Sequence, residues 1–201
     1  MLLYIIRHGE TAWNRNRRLQ GSSDIPLTPE GEALAAETAR GLAGIPFDFV
    51  FSSPLKRAYR TAELLRGDRD IPLFADSRLQ EVRFGVAEGQ ADYRQVPPVS
   101  LFFSDPEAYV PPDGAESYGE ILLRAGSFVR EALYPFSRRH PGAAVLLVAH
   151  AAINRGLEAV LLRTPLADYW KDPRRVNCAV DILQLDGEDA TMLAENQIYT
   201  K

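Results

Sequence analysis

Residues 2–11 of this chain read LLYIIRHGET, an apolar run that ends on charged and polar residues. The run Leu2–Ile6 has the length and the branched and aromatic composition of a strand buried on both faces, which is typical of a parallel sheet. In open α/β sheets, ligands bind beyond the carboxyl ends of the strands. This stretch therefore predicts a parallel sheet that delivers Arg7 and His8 to a binding site, with His8 placed as a nucleophile.

The same arrangement returns late in the chain, where the apolar run Ala143–Ala149 ends on His150. Two of the three histidines thus follow predicted buried strands, which chance placement would rarely produce. The third, His140, follows Arg138 and Arg139 at a predicted helix end, and we expect it to be a solvated cation without a catalytic role.

Length and composition are those of an ordinary globular protein, with 201 residues, 46% hydrophobic residues, 25% charged residues and a formal net charge of −4. We expect a single domain over residues 1–201. The mildly acidic total argues against a nucleic-acid partner, and the short basic cluster of Arg15, Arg17 and Arg18 lies beside the proposed site and suits a small anionic ligand better. No apolar run has the length of a membrane span, so a cytoplasmic location is the default expectation. The lone Cys178 excludes an internal disulfide, and without Cys/His pairs at ligand spacing we expect no metal site and no cofactor.

Strand and helix patterns alternate along the chain. We predict strands and helices, in chain order, from these segments: strand 2–6, a helix started by Thr28 and Pro29, strand 47–51, a helix capped by residues 52–54 and running to about Leu65, strand 71–74, helix 117–139, strand 143–149, helix 152–162, and strands 176–185 and 190–195 around the turn Asp186-Gly187. This order predicts a three-layer α/β/α sandwich whose mostly parallel sheet carries an antiparallel pair at one edge.

The pattern breaks down between about residues 84 and 115, which are rich in glycine, proline and aromatic residues. Long irregular stretches inside compact domains are commonly functional, often as lids. We therefore predict a small lid insertion here, with plain packing onto the sheet as the alternative role for two or three of its rings.

Together, His8, His150, Arg7 and Arg57 would make a site for a dianion. Guanidinium groups bind phosphate bidentately, and a neutral imidazole can attack phosphorus to form a phosphohistidine, so no metal is needed. The leaving oxygen needs a proton from a carboxyl group whose pKa is raised by burial. Glu81, just before the predicted lid, is the preferred acid, and the other candidates are Glu10, Glu88 and Glu116.

These residues resemble the histidine phosphatase superfamily, also called phosphoglycerate mutase-like. The motifs that carry the resemblance occur in family order along nearly the whole chain: RHGET at 7–11; Trp13, Asn14, Gln20, Gly21, Asp24, Leu27, Thr28 and Gly31; Ser52, Ser53, Leu55, Arg57, Ala58, Thr61 and Ala62; Leu79, Glu81, Phe84, Gly85, Glu88 and Gly89; a GES-like GAES at 114–117; and Val148, His150 and Arg155.

The resemblance implies a role for each of the matched site residues. It makes His8 the phosphorylated nucleophile and Glu81 the proton donor, and it assigns phosphoryl binding to Arg7, Arg57 and His150. Asn14 is implied as a further phosphoryl contact, and Gln20 and Gly21 as further substrate-binding positions. Ala151 stands where the family commonly has glycine; its N–H remains a donor if its φ is negative.

The resemblance leaves three functions open. A metal-independent phosphomonoester phosphatase acting on a small molecule is favoured, because between Glu81 and Glu116 only Arg83 and Arg94 are cations, whereas the mutase branch carries more. A lid poor in charge and rich in aromatic residues predicts a substrate with an uncharged or partly apolar body; α-ribazole phosphate, phosphoserine and sugar phosphates stay open. The alternatives are a cofactor-dependent phosphoglycerate mutase and a non-catalytic protein that binds phosphorylated ligands.

Overall fold

A central sheet organises the computed structural model, which describes residues 1–95, 97–171 and 176–200. Within these residues the strands are β1 (Leu2–Arg7), β2 (Phe49–Ser52), β3 (Leu73–Ala75), β4 (Ala144–Ala149), β5 (Val180–Asp186) and β6 (Asp189–Gln197). The α-helices are α1 (Ala12–Arg15), α2 (Pro29–Gly41), α3 (Lys56–Arg66), α4 (Val99–Ser104), α5 (Tyr118–Phe128), α6 (Tyr134–Arg139) and α7 (Ala151–Leu162). None of the helices in this part of the chain is long and apolar enough to cross a membrane.

The strand order is β3-β2-β4-β1-β5-β6. The first four strands of that order run parallel, β5 is antiparallel to β1, and β6 is antiparallel to β5. Asp186 pairs with Asp189 around Gly187, whose φ of 63° suits the tight turn that the sequence predicts. The predicted mostly parallel sheet with an antiparallel edge is confirmed.

Alternate residues of the central strands enter two hydrophobic clusters, one on each face of the sheet. Leu3 and Ile5 join the cluster that contains residues of α5 and α7, whereas Tyr4 and Ile6 join the cluster that contains residues of α3. This alternation follows from the twofold period of a strand, and it explains why the apolar run of β1 is unbroken. Helices therefore cover both faces, as predicted.

The pairing of β1 with β4 positions the site. Arg7 lies opposite Ala149 in a parallel register, and the backbone N–H of His8 donates to the Ala149 carbonyl at 3.0 Å. The next residue of each strand is a histidine, so His8 and His150 leave the sheet side by side at its carboxyl edge.

The predicted helix over residues 117–139 differs from the observed one. A π-helical turn, Val129–Leu133, separates α5 from α6. Pro135 lies one residue into α6, lacks an N–H, and its ring would clash with the carbonyl four residues before it in a regular α-helix. Such a wider turn is the usual accommodation of a break in the helical ladder.

The predicted cap of α3 is wrong. No side chain of residues 52–54 caps this helix, which begins at Lys56. The Ser53 hydroxyl instead contacts His150, and the N–H of Lys56 donates to the distant Asp24 carboxylate at 2.7 Å. Three strands also begin two or more residues later than predicted: residues 47 and 48 precede β2, residues 71 and 72 precede β3, and residues 176–179 precede β5.

Segment 84–115, of which all but residue 96 is described, packs against the sheet domain. It holds short 3₁₀ helices at Gly85–Ala87 and Tyr93–Gln95 and the helix α4. Its ends meet in a bridge between Phe84 and Ala115, and Phe102 is fully buried in the same cluster as the sheet residues. Movement of this segment as a lid stays a prediction.

His140 is not solvated as expected. It is half-buried, and its ring lies 4.4 Å from the Phe136 ring and 4.8 Å from the Phe49 ring, centroid to centroid. It packs away from the carboxyl edge of the sheet.

Candidate active site

His8 lies at the carboxyl end of β1 and is 97% buried, with 3% of its surface exposed. Its Nδ1 is 2.7 Å from the carbonyl oxygen of Gly9, an acceptor, so Nδ1 carries the proton and Nε2 keeps its lone pair. Burial, followed by the charges of Arg57 and Arg7, holds the pKa of His8 well below its ordinary value. The ring is therefore neutral at neutral pH and has the tautomer that a nucleophilic Nε2 requires.

Arg57 is fully buried behind the two histidines. Its Nη1 and Nη2 donate to the carbonyls of Ser23 and Gly21, both at 2.7 Å, and its Nε lies 3.3 Å from Nε2 of His8 and 3.1 Å from Nδ1 of His150. Burial lowers the pKa of Arg57 to about 10, so the guanidinium still carries its charge at neutral pH. Hydrogen bonds donated from each of its three guanidinium nitrogens fix its place.

His150 ends β4 and precedes the first turn of α7. Its ring centroid is 5.0 Å from that of His8, and its Nε2 lies 2.8 Å from the Ser53 hydroxyl. Because Nδ1 accepts from Arg57, Nε2 carries the proton and donates to Ser53. Burial, Arg57 and His8 lower the pKa of His150 well below its ordinary value, so this ring is neutral as well.

Glu81 reaches the same edge from the segment after β3. Its Oε1 accepts from the N–H groups of Val82 and Ile153, both at 3.0 Å, and its Oε2 accepts from Ala152 at 3.2 Å. The carboxyl group thus replaces a side-chain cap at the start of α7. Burial raises the pKa of Glu81 and outweighs the lowering by these N–H groups and Arg57. A carboxyl group with a raised pKa is suited to proton donation.

The three other candidate acids, Glu10, Glu88 and Glu116, bind other groups of the protein. Glu10 pairs with Arg15 at 2.6 Å, and Glu116 pairs with Arg124 at 2.9 Å. Glu88 accepts from the N–H groups of Ser22 and Ser23, each at 2.8 Å; burial raises its pKa, but these and further hydrogen bonds outweigh it and lower the pKa overall. Among the described residues, Glu81 is the one carboxylate that lines the pocket in front of His8.

That pocket has a volume of about 380 Å³. Six predicted site residues line it: Arg7, His8, Asn14, Gln20, Glu81 and Ala151. Ala151 is the first residue of α7, so its φ is in the negative helical range that keeps its N–H usable as a donor.

Three predicted site residues lie behind the pocket wall. Arg57 and His150 are fully buried and contact His8 or each other. Gly21 serves through its carbonyl to Arg57, and a Cβ there would lie 2.4 Å from both Glu88 Oε1 and the Val82 carbonyl. Direct contact of these three with a phosphoryl group stays a prediction.

Sequence reasoning missed two members of the site. Asn177 lines the pocket, and its Nδ2 donates to the carbonyls of His8 at 2.8 Å and Gly9 at 3.1 Å. Ser53 was matched only as a motif residue and helix cap, although it holds His150. No local pattern marks Asn177, because it reaches His8 only through the pairing of β5 with β1.

The predicted lid segment supplies one cation to the pocket, and other elements supply more. Arg83 lies outside the pocket beside Glu116, but Arg17 and Arg18 from the turn after α1 and Arg155 from α7 line it together with Arg94. A count along segment 81–116 alone could not include residues that arrive from other elements. In the part of the chain that the structure describes, there is no group of three or more His, Cys, Asp or Glu residues that could hold a metal ion.

Known proteins match this chain along nearly its full length. A family model described as histidine phosphatase superfamily (branch 1) matches residues 3–198. A probable 2-carboxy-D-arabinitol-1-phosphatase of Arabidopsis thaliana is 32% identical over 184 residues, which are 89% of this chain and 37% of that protein. This chain therefore spans just over a third of that relative. A probable phosphoglycerate mutase of Cronobacter sakazakii is 30% identical over 98% of this chain and 89% of its own length.

Solved structures agree with the family match. The Bacillus stearothermophilus protein YhfR superposes with a TM-score of 0.87 at 34% identity, over 98% of this chain and 97% of that one. The alpha-ribazole phosphatase of Shigella flexneri gives a TM-score of 0.84 at 27% identity, over 98% and 96% of the two chains. With the match to the family model and the two histidines at neighbouring strand ends, these likenesses establish that the chain belongs to the histidine phosphatase superfamily.

Proposed function

We propose that this protein hydrolyses small phosphomonoesters through a phosphohistidine on His8, without a metal ion. The observation that carries the proposal is the state of His8: a neutral ring in the wall of a pocket lined by arginines, whose Nδ1–H is fixed on the Gly9 carbonyl, so that its Nε2 carries the lone pair. The phosphatases among the similar proteins support hydrolysis as the reaction.

In the first step, Nε2 of His8 attacks phosphorus and the bond from phosphorus to the ester oxygen breaks. Arg7, Asn14 and the N–H of Ala151 line the space around that centre and would bind the phosphoryl oxygens, whose charge grows in the transition state. Glu81 gives its proton to the leaving oxygen, so an alcohol departs and Glu81 is left as a carboxylate.

In the second step, Glu81 takes a proton from water while the water oxygen attacks phosphorus and the bond to Nε2 breaks. Inorganic phosphate leaves, and both His8 and Glu81 regain their starting protonation states. The charge of Arg57 opposes protonation of either histidine, so Nε2 of His8 is not lost to a proton, and the 3.3 Å contact from Arg57 Nε to Nε2 gives way to the bond to phosphorus.

The proposal predicts a covalent phosphoenzyme. Rapid acid-free quenching with a ³²P-labelled phosphomonoester should give an alkali-stable, acid-labile label on the wild-type protein, and His8→Ala should lose both the label and turnover. His140→Ala is the matched control, because it removes a histidine outside the site. Comparable hydrolysis by His8→Ala would contradict the proposal, and folded protein that binds phosphomonoesters without label or turnover would favour the non-catalytic alternative.

A cofactor-dependent phosphoglycerate mutase remains the second candidate, favoured by the Cronobacter sakazakii relative and by the arginines of the pocket. A coupled enolase assay beside a phosphate-release assay separates the two reactions on one preparation. We expect hydrolysis of phosphomonoesters to exceed the interconversion of 3- and 2-phosphoglycerate, with little activation by 2,3-bisphosphoglycerate. Rapid isomerisation that depends on the bisphosphate, with negligible phosphate release, would establish the mutase instead.

A further inference from the structure

Three arginines on the rim of the pocket are not used by the chemistry at His8. Arg17 and Arg18 come from the turn after α1, and Arg94 comes from the 3₁₀ helix Tyr93–Gln95. All three are exposed, and within residues 1–95, 97–171 and 176–200 no carboxylate oxygen lies within 4 Å of their guanidinium nitrogens. Most exposed arginines elsewhere in the fold, such as Arg15 and Arg60, do have such partners.

Contacts on the rim hold two of these side chains without neutralising them. The guanidinium carbon of Arg94 lies 4.2 Å from the centroid of the Phe103 ring, which leaves the edge of the guanidinium group free to donate in its plane. Arg18 donates from Nη1 to the Gly89 carbonyl at 3.1 Å. Arg17 has a φ of 53°, a conformation in which glycine would be less strained, so an arginine at this position calls for a reason.

The charges that line the pocket are unbalanced. Its described lining residues include Arg7, Arg17, Arg18, Arg94 and Arg155 against the single carboxyl group of Glu81. Arg7 is committed to the phosphoryl group in the proposed reaction, and Arg155 lies 3.8 Å from the buried carboxylate of Glu158. Three cations therefore remain for the part of the substrate that is not the reacting phosphoryl group.

The volume and the apolar wall limit the kind of substrate. About 380 Å³ is at the small end of the range for pockets that enclose organic ligands, roughly 300–1,000 Å³. Tyr93, Phe103 and Trp170 line the pocket beside the arginines, so the body that joins the two ends of the substrate meets ring faces. A short body with an anion at each end fits these dimensions and this wall.

We propose that the substrate is a small phosphomonoester with a second anionic group, a carboxylate or a second phosphate, and that Arg17, Arg18 and Arg94 are the specificity-determining residues that bind it. This inference rests on the proposed function and narrows its substrate class. It replaces the uncharged body that the sequence predicted, because two of the three arginines lie outside the segment on which that prediction was based.

A matched substrate pair tests the inference. 3-Phosphoglycerate and glycerol 3-phosphate differ in a carboxylate against a hydroxymethyl group, and we expect kcat/KM to be about 10-fold or more higher for the first, as charge-assisted hydrogen bonds imply. Fructose 1,6-bisphosphate against fructose 6-phosphate is the arm for a second phosphate. A preference within one of the two substrate pairs identifies which anion is bound. If neither pair shows a preference, the inference is overturned.

Single variants assign the preference to residues. Arg17→Gln, Arg18→Gln and Arg94→Gln should each reduce the preference for the doubly anionic substrate severalfold while leaving kcat/KM for the singly anionic partner within about twofold. Arg83→Gln is the control, because it removes the same charge from a residue outside the pocket, while Glu116 keeps Arg124 as its partner. Equal losses of kcat/KM on both substrates, or the same loss of preference in Arg83→Gln, would mean that the three arginines act only through their overall positive charge. Either result would contradict the assignment.

A binding measurement separates this inference from the proposed function. Calorimetric titration of folded His8→Ala protein with the same substrate pairs, at constant ionic strength, does not depend on turnover. Hydrolysis of p-nitrophenyl phosphate by the wild type with equal affinities within each pair would overturn the second-anion site alone. A clear affinity difference within a pair would support the site even if the wild type formed no phosphoenzyme.

Discussion

At the scale of single residues, the same buried surroundings act in opposite directions on the pKa values of the proposed nucleophile and the proposed acid. Burial lowers the pKa of His8, whose charged form is a cation, and raises the pKa of Glu81, whose charged form is an anion. Burial therefore favours the neutral form of each group. A neutral imidazole is the form that attacks, and a neutral carboxyl group is the form that donates a proton.

Glu81→Gln should slow esters with poor, high-pKa leaving groups far more than p-nitrophenyl phosphate, whose leaving group needs little protonation. The wild-type kcat/KM for a poor leaving group should fall as pH rises through the pKa of Glu81, because the acid is then ionised, and Glu81→Gln should lack this fall. It should also decrease as pH falls through the pKa of His8. Steady-state pH profiles on both esters are the measurement, and equal slowing of both esters would assign Glu81 a structural role only.

At the scale of elements, two of the helices that begin near the site, α3 and α7, receive hydrogen bonds at their first turns from residues distant in sequence. Glu81 accepts from the N–H groups of Ala152 and Ile153 in the first turn of α7. Asp24 accepts from the N–H of Lys56 at the start of α3. The loop that carries Asp24 also presents the carbonyls of Gly21 and Ser23 to Arg57. The cap therefore ties α3, which carries Arg57, to the loop that orients it.

Asp24→Ala should lower the free energy of unfolding by about 1 kcal/mol, the usual cost of losing a helix cap. Asp24→Asn keeps an oxygen acceptor and is the matched variant, with an expected loss of less than half of that. Urea denaturation followed by circular dichroism measures both. Equal stability of Asp24→Ala and the wild type would mean that water replaces the cap without cost.

The elements and the centre of the site could be predicted because their signals are local. The unbroken run of β1, the turn Asp186-Gly187 and the histidines that end two strands all depend on neighbours in sequence. The caps from Asp24 and Glu81, the bond from His150 to Ser53 and the position of Asn177 depend on which elements meet in space. The same reason explains why a count along segment 81–116 gives too few cations for the pocket, since Arg17 and Arg18 enter it from another part of the chain.

At the scale of the whole molecule, the two buried neutral histidines link stability to pH. Their pKa values in the fold lie below the ordinary value of 6.5, so the unfolded chain binds protons that the folded chain excludes as pH falls. The free energy of unfolding is therefore undiminished by these groups above about pH 6.5. It decreases as pH falls from there towards the pKa values of the two histidines in the folded protein.

The melting temperature should therefore fall between pH 7 and pH 5. His8→Asn should weaken this dependence, because it removes one of the two groups, whereas His140→Asn removes a half-buried histidine outside the site and serves as the comparison. Scanning calorimetry at matched ionic strength measures all three proteins. An unchanged pH dependence in His8→Asn would show that His8 is protonated equally in the folded and unfolded chains.

The place of β1 in the sheet has a consequence for synthesis. β1 precedes the other strands of the sheet in chain order, but it lies between β4 and β5, which are synthesised only after residues 143 and 179. Until those strands emerge, β1 has both hydrogen-bonding edges bare and an unbroken apolar sequence, the kind of segment that pairs with other chains. Products of early termination would thus carry this strand without its partners, and we expect them to aggregate rather than persist as partly folded domains.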